Sequence, residues 1–422
     1  MKSSGAMATL EISAMTFGPY GIGRLDGKSV MVPGGAPGDV LEVKIEAERA
    51  GYSLGRIERI VAPGPWRRLP PCPFLPRCGG CDWQQIEYPE QVRLKGEIIA
   101  RELGHALKTE IDPVDLVEPS TAEFAYRSRI RLKVDRSGAV GFHEQSSNRI
   151  VPIDRCMVAQ FDIDAAAAIA RMFARELDEV ELVSGRDERL VIVAHLKKAS
   201  DRLINRVQRF LDSNPSVRGV VLRGQGARRI VGNAEIEVEI EAGTTLLADA
   251  DLFTQVNRSQ NLKLVAEVMA MVAPAAGASV IDLFCGAGNF SIPSARRGAR
   301  VIGVDSDPDA IAAAARNAAR MGLEQTQFVP MNAGELAAFL HRARSRLDAI
   351  ILDPPRTGAA ALMDPVARMR PPRVVYVSCD VSTLARDLRK LSAAGYKIAK
   401  LRAFDFFPNT HHVEIAACMV LT

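Results

Sequence analysis

The sequence predicts an α/β protein built from three regions: a small β-barrel, a central α+β region and a C-terminal domain with a parallel-dominated sheet. Three observations carry this. Past about residue 249, apolar strands alternate with helical stretches, which is how a parallel α/β sheet is written in sequence. Between about residues 11 and 61, short alternating strands are cut by glycine, proline and aspartate turns, as in a barrel. The Pro-rich stretch APGPWRRLPPCP separates that region from the remainder of the chain, and 422 residues exceed one ordinary domain. The boundaries read from this are 8–63, 64–250 and 251–422.

In chain order, the barrel region holds GPYGIGRLDGKSVMVPGGAPGD and the alternating run VLEVKIE. From Asp82 to about Gly104 the pattern turns helical, and this helix, near 84–104, can pack on the C-terminal domain. The middle region offers strands at RSRIRLKV, RLVIVAHL, VRGVVLRG and AEIEVEIE. A helix over VNRSQNLKLVAEVMAMVA then leads into the strands ASVIDLF, RVIGVD, DAIILD, RVVYVSC and HHVEIAACMVL. In such a sheet, ligands sit at the C-terminal ends of the strands. The alanine-rich stretches DAAAAIARMFA and AIAAAARNAAR read as plain helices.

The composition is 47% hydrophobic and 25% charged, which supports packed cores and argues against general disorder. The opening residues MKSSGAMATLEIS lack the apolar stretch of a signal peptide, and no run approaches a membrane span. A cytoplasmic protein with no membrane partner is expected. There, clustered cysteines more often bind metal or do chemistry than form disulfides. A net charge of +4 is too small to identify a nucleic-acid partner by itself.

VIDLFCGAGNFSI is an apolar strand running into a glycine-rich turn and a helix. Gly286 and Gly288 allow close backbone approach to a ligand. Asp305, 19 residues after Gly286 at the end of the next strand, is placed to bind both hydroxyls of a ribose. Nicotinamide folds use a similar layout, but only GxG is present here, with Asp282 at the start of the turn. That form is more typical of S-adenosylmethionine (SAM) methyltransferases.

Asp353 ends an apolar strand before two prolines, and Cys379 ends the next, in a polar turn that opens a helix. Helix N-terminal amides favour thiolate, so Cys379 reads as a nucleophile rather than a small core residue. Uracil C5 is a poor carbon nucleophile. Thiolate addition at C6 turns the ring into an enolate whose C5 attacks the SAM methyl. A base must then take the C5 proton so that β-elimination returns the thiolate. Glu414, at the start of a strand, can serve as that base, and the preceding His411 and His412 are either alternative bases or turn residues.

FTQVN, DLFCGAGNFS, DPPR, SCDVSTLARD and HHVE, in this order, resemble the RNA (uracil-C5)-methyltransferase family. GPYGIGRLDGKSVMVPGGAPGD resembles a TRAM domain, an OB-like RNA-binding barrel, and CPFLPRCGGCDWQQIEYPEQVRLK resembles the family's iron–sulfur segment. The resemblance implies a Rossmann-like SAM methyltransferase domain with an N-terminal OB-like barrel and a central α+β iron–sulfur domain. It implies that Cys379 is the nucleophile and Glu414 the base. Gln255, Phe284, Asn289, Asp305, Asn332 and Asp353 would line the SAM and uracil pockets. Asp305 stands where many relatives carry Glu, and Asn332 lies in a weak local match. It also implies that Cys72, Cys78 and Cys81, spaced C-x5-C-x2-C, join the distant Cys156 around a [4Fe–4S] cluster. Four thiolates suit zinc equally well, although zinc sites usually show two short knuckles and this chain has one.

Arg127, Arg129, Arg131 and Lys133 alternate with Ser128, Ile130 and Leu132 in YRSRIRLKV, so on one strand all four cations share a face. Their spacing of ~7 Å is comparable with phosphate spacing along single-stranded RNA, which suggests a backbone contact. A solvated sheet face is the alternative. The expected substrate is structured RNA, 23S rRNA first, with the target base exposed or extruded, and the chain is expected to act as a monomer. A tRNA uridine, an amino nitrogen of a base, and a non-catalytic iron–sulfur RNA-binding protein are the competing readings.

Overall fold

The computed structural model describes residues 5–145, 147–199, 201–225, 227–342 and 347–422. The strands β1 (Met7–Met15), β2 (Tyr20–Leu25), β3 (Lys28–Pro33), β4 (Val40–Glu48) and β5 (Tyr52–Ala62) close into a barrel in the order β1-β2-β3-β5-β4. Strict alternation puts Leu10, Ile12, Val30, Val32, Leu41, Val43 and Ile45 inside. The Pro-rich boundary is fastened to this barrel by the buried Asp39, which accepts from the Gly64 amide at 2.9 Å and from the Arg67 guanidinium at 2.6 Å.

Next come α1 (Tyr88–Leu107) and β6 (Val117–Glu118). The central sheet comes after them, with β7 (Arg129–Val134), β8 (Val140–His143), β9 (Ile150–Pro152), β10 (Leu177–Ser184), β11 (Leu190–Leu196), β12 (Val217–Gly224) and β13 (Ala227–Gly232). Their order is β13-β12-β11-β10-β7-β8-β9. Helices α2 (Asp164–Phe173) and α3 (Ile204–Ser213) bury Ile169, Phe173, Val207 and Phe210 against Ile130, Leu132, Leu182 and Ile192. Val183, Val191, Val193 and Val221 instead join a core with the hairpin β14 (Glu235–Glu241) and β15 (Thr244–Asp249). That core continues into Ala287, Ile292 and Ala313 of the C-terminal domain, so the hairpin welds the two domains together.

The C-terminal domain comprises α4 (Arg258–Val272), β16 (Ser279–Leu283), α5 (Ser291–Arg296), β17 (Arg300–Asp305), α6 (Pro308–Arg320), β18 (Thr326–Pro330) and α7 (Ala333–Arg342). It continues with β19 (Ala349–Leu352), α8 (Met363–Met369), β20 (Arg373–Ser378), α9 (Val381–Ala393), β21 (Tyr396–Phe404) and β22 (Glu414–Leu421). The sheet order is β18-β17-β16-β19-β20-β22-β21-β6, parallel from β18 to β20, with β22 antiparallel to both its neighbours. Winding reverses between β16 and β19, which opens a crevice at their C-terminal ends. Two elements upstream of residue 250 belong here. β6 pairs with β21, and α1 packs on α9 through a core containing Ile99, Leu103, Leu384 and Leu388.

Candidate active site

The crevice at the switch point is shaped by the turn after β16. Amides of Phe284 and Cys285 both donate to the Val304 carbonyl, at 2.8 and 3.0 Å, and this bends the chain away from the sheet. Phe284 takes φ +65°, while Gly288 at φ +104° lies so near Ile292 that a β-carbon would sit 2.8 Å from its Cγ1. Asp305 ends β17 and accepts from the Gly286 amide at 2.9 Å, with its other oxygen taking the Asp307 amide. A small cavity of about 50 Å³ adjoins the turn, lined by Phe253, Gln255, Asn261, Gly286, Asn289 and Asp353 among others. Asn261 and Asn289 exchange amide hydrogen bonds at 3.0 and 3.1 Å, which fixes both side chains at its wall.

Of the expected cofactor residues, Gln255, Asn289 and Asp353 therefore share one wall, with Asp305 bonded to it through Gly286. Phe284 contributes its backbone turn and packs its ring on the core of the C-terminal domain. Asn332 caps α7: its Oδ1 accepts from the Gly334 and Glu335 amides at 3.0 Å, and the Glu335 carboxylate accepts from the Asn332 amide in return.

The reacting groups sit one strand further along. Ser378 faces Ile415 across the β20–β22 ladder. The ladder ends at this pair, and just past it Cys379 lies near enough to Glu414, the first residue of β22, for the carboxylate to act on its thiol. Asp353 directly succeeds β19, and the loop Pro354–Pro355–Arg356 carries a cation over the same strand ends. That loop is pinned from below. The Asp387 carboxylate on α9 accepts from the Ala359 amide and the Tyr376 hydroxyl, both at 2.7 Å. Gly358, at φ +71°, could not carry a β-carbon without meeting the Arg386 guanidinium at 2.5 Å and Asp387 at 2.7 Å.

Electrostatics correct one expectation. The Cys379 thiol is not lowered. Burial, then Glu414, push it up to about 12, with Asp353 and Asp380 adding to the rise and Arg356 opposing it. The helix amides that would have favoured thiolate are engaged by Asp380, which accepts from the Thr383 amide at 2.8 Å and sets a carboxylate beside the thiol. Burial also raises Glu414 well above its ordinary value, with Asp353 adding and Arg356 easing the rise. Asp353 is pushed up to about 7 by burial and by the nearby Asp282. Asp282 itself rises to about 7 through burial. One of its oxygens accepts the Ser291 hydroxyl at 2.6 Å, and the other has no partner among the described residues. His412 is pushed down to about 2 by burial and by His411, and is therefore too weakly basic to serve as a base at neutral pH. Glu414, Asp353 and Asp380 thus surround the Cys379 thiol, and Arg356, the arginine of the DPPR stretch, opposes them.

Cys72, Cys78, Cys81 and Cys156 line one cavity of about 220 Å³, together with Arg127 and Phe142. All four are free thiols. Backbone amides at Gly80 and at Val158 and Ala159 point at the Cys78 and Cys156 sulfurs. Among the described residues, no three His, Cys, Asp or Glu side chains converge tightly enough to hold a single ion. Four free thiols lining one cavity are a donor set of the kind that zinc or an iron–sulfur cluster takes.

The four cations of the expected basic stripe do not all lie on one strand. β7 begins at Arg129, and Arg127 lies outside it, its guanidinium over the rings of Tyr126 and Phe407. Arg129 is mostly buried, bonded to Glu181 at 3.0 Å and to the Ala250 and Leu252 carbonyls. Arg131 pairs with Glu181 and Glu179, and Lys133 with Glu179. The alternation is real, and Glu179 and Glu181 of the neighbouring strand β10 pair with Arg129, Arg131 and Lys133.

Residues 120–421 match the family described as tRNA (Uracil-5-)-methyltransferase, and residues 9–57 match the TRAM domain. The chain belongs to the tRNA (uracil-5-)-methyltransferase family. It is 33% identical to the 23S rRNA (uracil(1939)-C(5))-methyltransferase RlmD of Pectobacterium atrosepticum, over 97% of this chain and 93% of the relative. It is also 33% identical to the protein of that name from Shewanella amazonensis, over 93% and 91%. The Pyrococcus abyssi tRNA (uracil-54, C5)-methyltransferase, solved with S-adenosyl-L-homocysteine, superposes with a TM-score of 0.74 at 26% identity, covering 98% of this chain and 100% of that one. A methyltransferase of this family uses SAM, and crevices such as the one beside Gly286 are where open α/β sheets generally take ligands. Among the described residues, no helix is long and apolar enough to cross a membrane.

Proposed function

We propose that this SAM-dependent RNA methyltransferase methylates C5 of one uridine in 23S rRNA, with Cys379 as nucleophile and Glu414 as base. The observation that carries the mechanism is the nearness of Cys379, just past β20, to Glu414 at the start of β22 and to Asp353 in the crevice wall. The substrate is inferred from the relatives named for 23S rRNA at 33% identity over nearly the whole chain.

Cys379 adds through sulfur to uracil C6, and Arg356 lies where a cation would steady the developing thiolate. C5 then takes the methyl of SAM, held by Gln255, Asn289, Asp305 and Asp353, with Phe284 shaping the turn and Asn332 at its rim. Glu414 removes the C5 proton, and the C6–S bond breaks as the double bond reforms. A raised Glu414 suits this last step, because a carboxylate buried among apolar groups is a stronger base than one in water.

Cys72, Cys78, Cys81 and Cys156 would hold a [4Fe–4S] cluster. When bound, such a group would cross-link the segment after the barrel to the central sheet, away from the methyl-transfer site. A monomer acting on rRNA in the cytoplasm completes the proposal.

The test is to add the enzyme and SAM to ribosomal RNA from cells lacking the gene and to map 5-methyluridine. A single new site in 23S rRNA, at the uridine equivalent to that in the relatives' names, is expected. Methylation of tRNA alone would transfer the reading to the chemistry of the Pyrococcus neighbour. Four irons and four acid-labile sulfides per chain are expected on anaerobic isolation, and stoichiometric zinc without sulfide would replace the cluster.

A further inference from the structure

Glu414 is delivered by residues 405–413, the loop between β21 and β22, and this loop is held from outside its own domain. Asn409 sits in the left-handed region at φ +68°, which asparagine tolerates better than most residues. Its carbonyl accepts from the backbone amides of both Asp82 and Trp83, at 3.1 and 3.0 Å. Two residues on, the Asp82 carboxylate grips His411 twice. Oδ1 accepts from the backbone amide at 3.0 Å, and Oδ2 bonds Nδ1 at 2.6 Å. Both side chains are largely shielded, with 15% and 17% exposure.

This contact is a meeting point of three modules. Asp82 directly succeeds Cys81, the third cysteine of the four-thiol site. From the barrel, Phe17 sets its ring edge-on to His411 at 5.7 Å, and the Gly18 carbonyl accepts from the Trp83 indole at 3.1 Å. Toward the reacting groups, the His411 and His412 rings lie 4.0 Å apart, and His412 Nε2 is 3.2 Å from the Arg356 guanidinium. A continuous set of contacts therefore runs from the cysteine segment to the cation over Cys379 and to the residues just before Glu414.

We propose that the Asp82–His411 pair is a positioning joint. It sets the Glu414-bearing loop, and through His412 the Arg356 loop, from the cysteine segment and the barrel. Neither residue touches the reacting atoms. The joint rests on the methylation reading above and extends it: a disturbance at the RNA-binding barrel or at the cysteine site reaches the base through this pair.

The experiment uses the full-length holoenzyme with rRNA carrying tritium at uridine C5. Asp82→Ala should lower kcat for tritium release by about 10- to 100-fold, the range expected for a displacement near 1 Å, while KM for RNA stays within about twofold. Iron and sulfide per chain should match the native enzyme, which separates a joint from a cysteine-cage role. Asp82→Asn keeps an oxygen for the His411 amide and should recover most of the loss. His411→Gln disturbs the other half of the contact away from the cysteines, and the double variant should be no slower than the slower single.

An unchanged kcat in Asp82→Ala and His411→Gln overturns the joint. So does a rise in KM with kcat intact, which would make Asp82 an RNA contact, and so does iron lost in step with activity. A native enzyme that releases no tritium overturns the methylation reading and the joint with it. An active native enzyme with unaltered variants overturns the joint alone.

Discussion

Replacing Glu414 by Gln should divide the reaction into a half that survives and a half that stops. At a thiol pushed up to about 12, roughly one Cys379 in 10⁵ is thiolate at pH 7, so addition to C6 starts from a scarce species. Glu414 is, after burial, the leading cause of that rise. For a separation of about 5 Å at an effective dielectric near 20, a full charge there is worth about 3 kcal/mol, or about 100-fold in thiolate. That is an upper bound, because the raised Glu414 keeps its proton part of the time. Glu414→Gln should therefore leave addition and methyl transfer as fast as in the native enzyme or faster. Proton removal at C5 should slow by the 10²- to 10⁴-fold usual for a lost general base, so about that much should vanish from tritium release. With methyl-labelled SAM, a denaturing gel should show a covalent protein–RNA band carrying the label. Tritium release within about tenfold of native and no labelled band would refute the assignment of Glu414.

Three further outcomes rest on the same geometry. Single-turnover rates should climb with pH from 7 past 9, because thiolate increases about tenfold per pH unit below a thiol value of about 12; a plateau near the ordinary 9.0 would show that the thiol is not raised. Asp282 binds a proton in the folded chain between its ordinary 3.8 and about 7, so it withdraws stability as pH rises through that window. The stability difference of Asp282→Asn from native, measured by denaturant, should then be more favourable at pH 8 than at pH 5 by up to about 3 kcal/mol, and an equal difference at both would refute it. Arg129→Ala should destabilise by about 1–3 kcal/mol by removing the donors to the Ala250 and Leu252 carbonyls while Glu181 keeps Arg131 and His195, whereas Arg131→Ala, on a half-exposed pair, should cost about 1 kcal/mol or less and leave RNA affinity within about twofold.

Much of the catalytic domain is legible in the sequence because its chemistry is local. The strand, glycine turn and acidic strand end that make the crevice lie between Ile281 and Asp305, and apolar runs bracket each reacting residue. The barrel is legible for a similar reason, since alternation reports directly which face is inside. The features that stay hidden depend on partners distant in sequence. The cations of β7 look free until Glu181, 52 residues beyond Arg129, is set against them. The two-residue β6 has no period to detect, and only its pairing with β21 assigns it to the C-terminal sheet. The rise of the Cys379 thiol comes from burial first, then from Glu414 and from Asp353 past the end of β19, parts of the chain other than its own strand, with the cap Asp380 adding to it. Asp82 and His411 are 329 residues apart, and nothing near either one announces the other.

The central claim is that Cys379 activates a uracil for methylation at C5. Its most direct test is the release of tritium from 23S rRNA labelled at uridine C5. The native enzyme should release one tritium per methyl transferred, only with SAM present, and Cys379→Ala should release none. Methyl transfer without tritium release, or release that survives the loss of Cys379, would contradict the account.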